Sequence, residues 1–187
     1  MFKKLILSLV ILSVLIGAGF GLAYKDDANL AIRIREYHTQ YDAGNYEQAY
    51  TIATQLVADG HMNAHYFLGL HYESGYAIPQ DMSQAVEHYK LAASAEYPLA
   101  QAYLGSLYAI GDGVKKDEKR AVYWFEKAAA NDYPHAQYLL GKMYKNGTGV
   151  PQDTTKARKL LQSASEQGIL AADADLAKLA ALDMGLR

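Results

Sequence analysis

Three histidines, His61, His65 and His71, fall in one short stretch and invite a metal site. Helical spacing argues against it. His65 and His71 are six positions apart, on largely opposite sides of one helix, and His61 falls in an expected turn. No suitably spaced carboxylate supplies a third ligand, so packing or surface roles are expected and neither a metal nor a cofactor is assigned. The chain has no cysteine, which removes disulfides, thiolate zinc sites, iron–sulfur clusters, a thiol nucleophile and a lipid-bearing cysteine anchor. There is no Gly-x-Ser-x-Gly elbow. The glycines at 111–113 and 147–149 precede helices without the Lys-Ser/Thr of a phosphate loop. Asp117 and Asp153 are accounted for as helix caps, so no catalytic residue is nominated and the expectation is a non-enzyme. The run Lys115-Lys116-Asp117-Glu118-Lys119-Arg120 mixes both signs and reads as a solvated turn.

Composition narrows the function further. Among 187 residues, 51% are apolar and 20% charged, which is globular. Eighteen Lys and Arg against twenty Asp and Glu leave a net charge of -2, and this argues against general nucleic-acid binding.

The elements that position these residues recur every 36 residues. Ala64-His-Tyr-Phe-Leu68-Gly69-Leu-His-Tyr72 returns as Ala100-Gln-Ala-Tyr-Leu104-Gly105-Ser-Leu-Tyr108 and as Ala136-Gln-Tyr-Leu-Leu140-Gly141-Lys-Met-Tyr144. Gly75, Gly111 and Gly147 keep step, as do Ile78, Val114 and Val150, then Asp81, Asp117 and Asp153, then Ala85, Ala121 and Ala157. The units are 64–99, 100–135 and 136–171, each read as two antiparallel helices. Leu104, Gly105 and Tyr108 form one apolar stripe. Glycine inside a helix costs about 1 kcal/mol relative to alanine. Its return at 69, 105 and 141 therefore implies a close approach of the partner helix. Gly111 suits a left-handed helix end, Asp117 an N-cap, and Pro134 the first turn of the next helix. Ala121, Trp124, Phe125, Ala128 and Ala129 are the expected buried face of the second helix.

The pattern Ala-x-x-x-Leu-Gly-x-x-Tyr-x-x-Gly-x-Gly-Val-x-x-Asp-x-x-x-Ala-x-x-Trp-Phe-x-Lys-Ala-Ala of unit 100–135 resembles the Sel-one-like repeat (SLR), a relative of the tetratricopeptide repeat. Unit 64–99 departs from it at Ala77, where a glycine is expected, and at His88, where tryptophan is expected. Unit 136–171 carries Leu160-Leu161 in place of the aromatic pair. The resemblance implies an all-α fold, an α/α superhelical solenoid of helical hairpins, used for protein binding. Some SLR proteins are described as β-lactamase-like, but those carry paired cysteines within their repeats. This chain has none, which argues against that activity.

Residues 25–63 are similar to a tetratricopeptide-like N-terminal cap repeat with a shorter inter-helix turn, and 172–187 read as a C-terminal capping helix with Leu176 in register with Leu140. By the same resemblance the first helices line a concave face. It would present Asn63, Tyr66, Leu70 and Glu73, then Leu99, Ala102, Ser106 and Ala109, then His135, Tyr138, Lys142 and Lys145. Tyr66 and Tyr138 would bracket a small apolar middle, suited to an extended peptide or a partner's helix. Tyr72, Tyr97, Tyr108, Tyr133 and Tyr144 are expected to pack within the framework.

Residues 1–24 are a different kind of polymer. After Lys3 and Lys4 no charge occurs until Lys25. The run from Leu5 to Tyr24 would span about 30 Å as a helix, enough to cross a bilayer core. It fits a retained hydrophobic anchor helix, or a signal peptide cleaved near Gly21-Leu22-Ala23. Either way the lysines should stay in the cytoplasm and the rest be exported. The expected protein is thus a scaffold or adaptor of the bacterial cell envelope, single-pass in the inner membrane with its C-terminal domain in the periplasm, or soluble there after cleavage. Its partners would be envelope proteins or a membrane complex, with peptidoglycan a further candidate. Two other readings stay open: an accessory subunit held by its transmembrane helix, and a cell-wall-acting or β-lactamase-like enzyme.

Overall fold

The computed structural model describes the backbone of residues 23–183 and the side chains of 28–181. The apolar segment read as an anchor or signal peptide lies outside these residues, apart from the last two residues of its run, which open the first helix. Among the described residues all regular structure is helical: α1 (Ala23–Asp42), α2 (Tyr46–Ala58), a 3₁₀ turn (Met62–Ala64), α3 (His65–Ser74), α4 (Met82–Ser94), α5 (Pro98–Ile110), α6 (Glu118–Ala130), α7 (Pro134–Asn146), α8 (Thr154–Glu166) and α9 (Leu170–Asp183). None of these helices is long and apolar enough to cross a membrane.

Two compact units are distinguished, one ending at Ile52 and one beginning at Ala53. In the first, a short turn at 43–45 joins α1 to the start of α2, with Gly44 at φ +78°. Tyr37 is buried and stacks on Tyr41 at 5.7 Å, and Tyr41 meets the edge of Tyr46 at 5.3 Å.

In the second unit, from α3 to α9, each helix packs against the next in chain order. A three-part device forms every hairpin. Gly75, Gly111 and Gly147 end α3, α5 and α7 in the left-handed region, which spares them the Cβ clash any other residue would meet. The chain then returns far enough for the N–H groups of Asp81, Asp117 and Asp153 to donate to the carbonyls of Tyr72, Tyr108 and Tyr144 at 2.9, 2.9 and 3.0 Å. The same aspartates cap α4, α6 and α8, accepting from the N–H of Gln84, Arg120 and Lys156 at 3.1, 3.0 and 2.8 Å. Pro98 and Pro134 open α5 and α7, where a missing N–H costs nothing.

The hairpins close through the helical glycines. A Cβ placed on Gly105 would stand 2.9 Å from Phe125 Cδ1, one on Gly69 2.4 Å from Tyr89 Cε1, and one on Gly141 2.9 Å from Leu161 Cγ. The close approach is thus made by a large side chain of the partner helix lying against the glycine. Ala85, Ala121 and Ala157 are fully buried beside these side chains, and Ala49 of α2 is buried at the same register. The seam of α6 differs from expectation. It runs through Ala121, Val122, Phe125 and Ala128, while Trp124 and Ala129 are only half-buried. Spacing explains this: 121, 122, 125 and 128 make one stripe, and Trp124 lies on its edge. In α9, Ala172, Asp175 and Leu179 turn inward and Leu176 stays half-buried.

Where the turns of the other units carry Gly113 and Gly149, the first carries Ala77 at φ +70°. A non-glycine residue there costs about 1–2 kcal/mol, offset in part by the freedom glycine adds to the unfolded chain. Ala77→Gly is therefore expected to raise the unfolding free energy by about 0.5–1 kcal/mol in urea titration. A decrease would show that the Ala77 methyl contributes a contact worth more than the strain.

Candidate interaction surface

Seven of the twelve first-helix positions that the resemblance places on a concave face divide into three groups. Tyr66 does not stand free on the face. It is buried, with the rings of Phe67, Tyr89, Tyr97 and Tyr103 at 5.6–6.0 Å around it. Aromatic side chains arriving from α3, α4, α5 and the turn before α5 close over it, and spacing within α3 alone does not reveal them. Ala102 is likewise buried. Both belong to the packed interior.

The second group is bound within the molecule. Glu73 is the acceptor for two phenols: Tyr89 donates to one carboxylate oxygen and Tyr103 to the other, each at 2.5 Å. Burial and the Glu73 carboxylate together raise the pKa of both tyrosines far above the usual phenol range. Lys145 donates to Asp175 of α9 at 2.6 Å, with both side chains largely buried. Burial alone would raise the Asp175 pKa, but the Lys145 ammonium outweighs it and holds the carboxyl below its ordinary value.

The third group shares a cleft. Ser106 and Ala109 of α5 and Lys142 of α7 line a hollow of about 280 Å³ floored by Phe125 of α6, with Ile110, Leu139 and Met143 as its apolar walls. Ile110 is 69% exposed, large for an isoleucine beside an apolar hollow. Ser106 is turned back to the Ala102 carbonyl at 3.1 Å, which leaves the floor apolar. Lys142 lies over the Tyr138 ring at 5.2 Å and supplies the positive charge at the rim. Leu70, Leu99 and Tyr138 are half-buried, and Asn63 and His135 are exposed, with the His135 ring 5.8 Å from Tyr133.

The histidines make a cluster that spacing did not anticipate. His65 meets His88 of α4, with Nδ1 to Nδ1 at 2.8 Å and the rings stacked, and Tyr72 stacks on His88 at 5.3 Å. The missed partner stood in the sequence as the histidine replacing the expected tryptophan. His71 is buried and its Nδ1 donates to the Tyr76 carbonyl at 2.9 Å. Among the described residues no three His, Asp or Glu side chains gather as a metal site. Burial lowers the pKa of His65, His71 and His88, and for His88 the neighbouring His65 adds to it. A histidine held neutral in the fold binds fewer protons than in the unfolded chain. Its stabilising contribution is complete above the unfolded value near 6.5 and is lost as pH falls from there through the lowered value. The melting temperature is therefore expected to drop as pH falls below about 6.5, and His88→Trp to flatten that drop. An unchanged slope in the variant would remove the His65–His88 contact from the account.

No match was found among the curated proteins. Among solved structures, a Sel1 repeat protein from Oxalobacter formigenes is 34% identical over 82% of this chain and 63% of its own, with a TM-score of 0.74. A protective antigen of uropathogenic Escherichia coli strains with an SLR fold is 32% identical over 90% of this chain and 38% of its own, at 0.75. The chain thus spans less than two thirds of either relative. The cysteine-rich protein B of Helicobacter pylori shares the fold at 20% identity over 71% of this chain and 95% of its own, with a TM-score of 0.56. The Sel1 repeat model matches residues 63–97, 98–133 and 134–169, three consecutive units over more than half the sequence, and the chain belongs to the Sel1 repeat family.

Proposed function

We propose that this Sel1 repeat protein is an exported scaffold of the bacterial cell envelope, tethered to the inner membrane by its N-terminal apolar segment, that docks a partner protein on its first-helix face. The fold is suited to protein–protein interaction. The observation that carries the reading is the cleft over Phe125: an apolar hollow with exposed Ile110 at its edge and one cation, Lys142, at its rim. Such a hollow takes an apolar side chain of a partner, and the adjoining residues of that partner fix its register. The mechanism is docking on a preformed surface with no covalent step. Export is supported by Lys3-Lys4 followed by the uncharged run to Tyr24. Bacterial placement is supported by the sources of the similar structures.

Crosslinking of the full chain in its native membrane, followed by identification of what is joined to it, tests both parts. Wild type should capture a defined envelope partner, and Ala109→Arg, which fills the hollow with a charged side chain at a half-exposed position, should lose it. Undiminished capture by the variant would take the cleft out of the reading. A C-terminal reporter active only in the cytosol would overturn the export reading independently.

A further inference from the structure

A second surface, on the second-helix side of the central unit, carries chemistry that the first-helix cleft does not use. Two adjoining hollows of about 470 and 420 Å³ share Lys90 of α4, Tyr108 of α5 and Arg120 of α6. Lys115 and Lys116 of the turn border one, and Tyr123 and Trp124 of α6 border the other. The Arg120 guanidinium lies over the Tyr108 ring at 5.4 Å and donates to its hydroxyl at 3.3 Å. Tyr123 is 51% exposed, with the Lys127 ammonium 5.3 Å from its ring. Four cations and three aromatic rings thus line one trough, with Asp117 the single carboxylate among the lining residues.

The first and third turns carry Pro79-Gln80 and Pro151-Gln152 where the central turn carries Lys115-Lys116. Both glutamines brace their hairpins: Gln80 donates to the Glu73 carbonyl and Gln152 to the Lys145 carbonyl, each at 2.8 Å. The central unit has two exposed lysines in place of the stiff proline and this brace, and stability of the hairpin does not explain the difference. The mixed run read from sequence as a solvated turn therefore forms one wall of a basic, aromatic trough. Its ion pairs are exposed and readily exchanged: Lys116 with Glu118 at 3.1 Å, Arg120 with Asp117 at 3.4 Å, and Lys90 with Glu87 at 2.7 Å.

We propose that this trough binds an acidic peptide segment of a partner protein, its carboxylates replacing Glu118 and Glu87 on the lysines and its apolar atoms resting on Tyr123 and Trp124. Charge complementarity supplies recognition and the rings supply contact area. The site is independent of the Phe125 cleft and of where the protein resides.

Trp124 is the one tryptophan of the chain and borders the trough, so its fluorescence reports occupancy. The full chain in neutral detergent is titrated with a synthetic glutamate-rich peptide, with its glutamine-for-glutamate counterpart and with inorganic tripolyphosphate. The glutamate peptide should shift Trp124 emission saturably and release with salt, and the glutamine peptide should not. Lys115→Pro with Lys116→Gln installs the turn of the other units, so it should melt no lower than wild type yet bind the peptide about tenfold more weakly. No response to the glutamate peptide, equal affinity in the variant, or tighter binding of tripolyphosphate than of the peptide would each overturn the proposal.

Discussion

Phe125→Ala is expected to lower the unfolding free energy by about 3–5 kcal/mol, the range for emptying a buried aromatic site. The ring is 2% exposed and lies on Gly105, with Cδ1 and Cε1 each 2.9 Å from where a Cβ would stand. Since glycine has no side chain to relax into the space, the cavity would remain open between α5 and α6. The same ring floors the hollow that also contains Ser106, Ala109 and Lys142, so the substitution should deepen that hollow and weaken partner capture along with stability. Phe125→Leu is the informative companion. Leucine occupies the matching position, Leu161, in the third unit and is fully buried there, so its cost should stay below about 1.5 kcal/mol. Chemical denaturation of both variants checks this. A cost below about 1 kcal/mol for the alanine would mean that the Gly105–Phe125 seam does not hold the central hairpin.

Gly69→Ala should be the most damaging single methyl addition among the helical glycines. Alanine gains about 1 kcal/mol in helix propensity over glycine, so a neutral site would be stabilised. Here the new Cβ would lie 2.4 Å from Tyr89 Cε1 and 2.6 Å from Cδ1. Tyr89 is fully buried, its hydroxyl donates to Glu73, and Tyr66 and Tyr103 flank it, so the ring has no room to move. Overpacking typically costs about 1–3 kcal/mol and more where neighbours are fixed; the net expectation is a loss of about 2 kcal/mol. Gly105→Ala faces the untethered Phe125 ring at 2.9 Å and should lose less. Equal losses would show that the Tyr89–Glu73 bond does not restrain the ring.

How much of this was legible in the sequence depends on how local the cause is. Gly111, Asp117 and Pro134 act through backbone conformation and capping within a few residues, and their roles could be read from type and position. Gly105 could be read from its period, though not the identity of what lies on it. In the turns between units Glu96 and Asp132 take φ of +62° and +55°, at the register of Gly60 and Gly168, which are also left-handed. That shared register extends the 36-residue stride to α2, which spacing in 64–171 alone did not claim. Tyr66 was misplaced because its burial comes from rings of neighbouring elements. His88 was missed because a stack between two helices leaves no trace in either helix's own pattern. The Phe125 cleft needs α5, α6 and α7 at once, and only Ser106, Ala109 and Lys142 of its lining were nominated.

The nearest-neighbour stacking of α3 to α9 makes length a free variable. A gene segment encoding one whole unit could be duplicated in place, and each new junction would repeat one that already exists, whereas an insertion of any other size would throw the turns out of phase. What evolution can then tune cheaply is the exposed residue in each copy, as the lysine pair of the central turn illustrates.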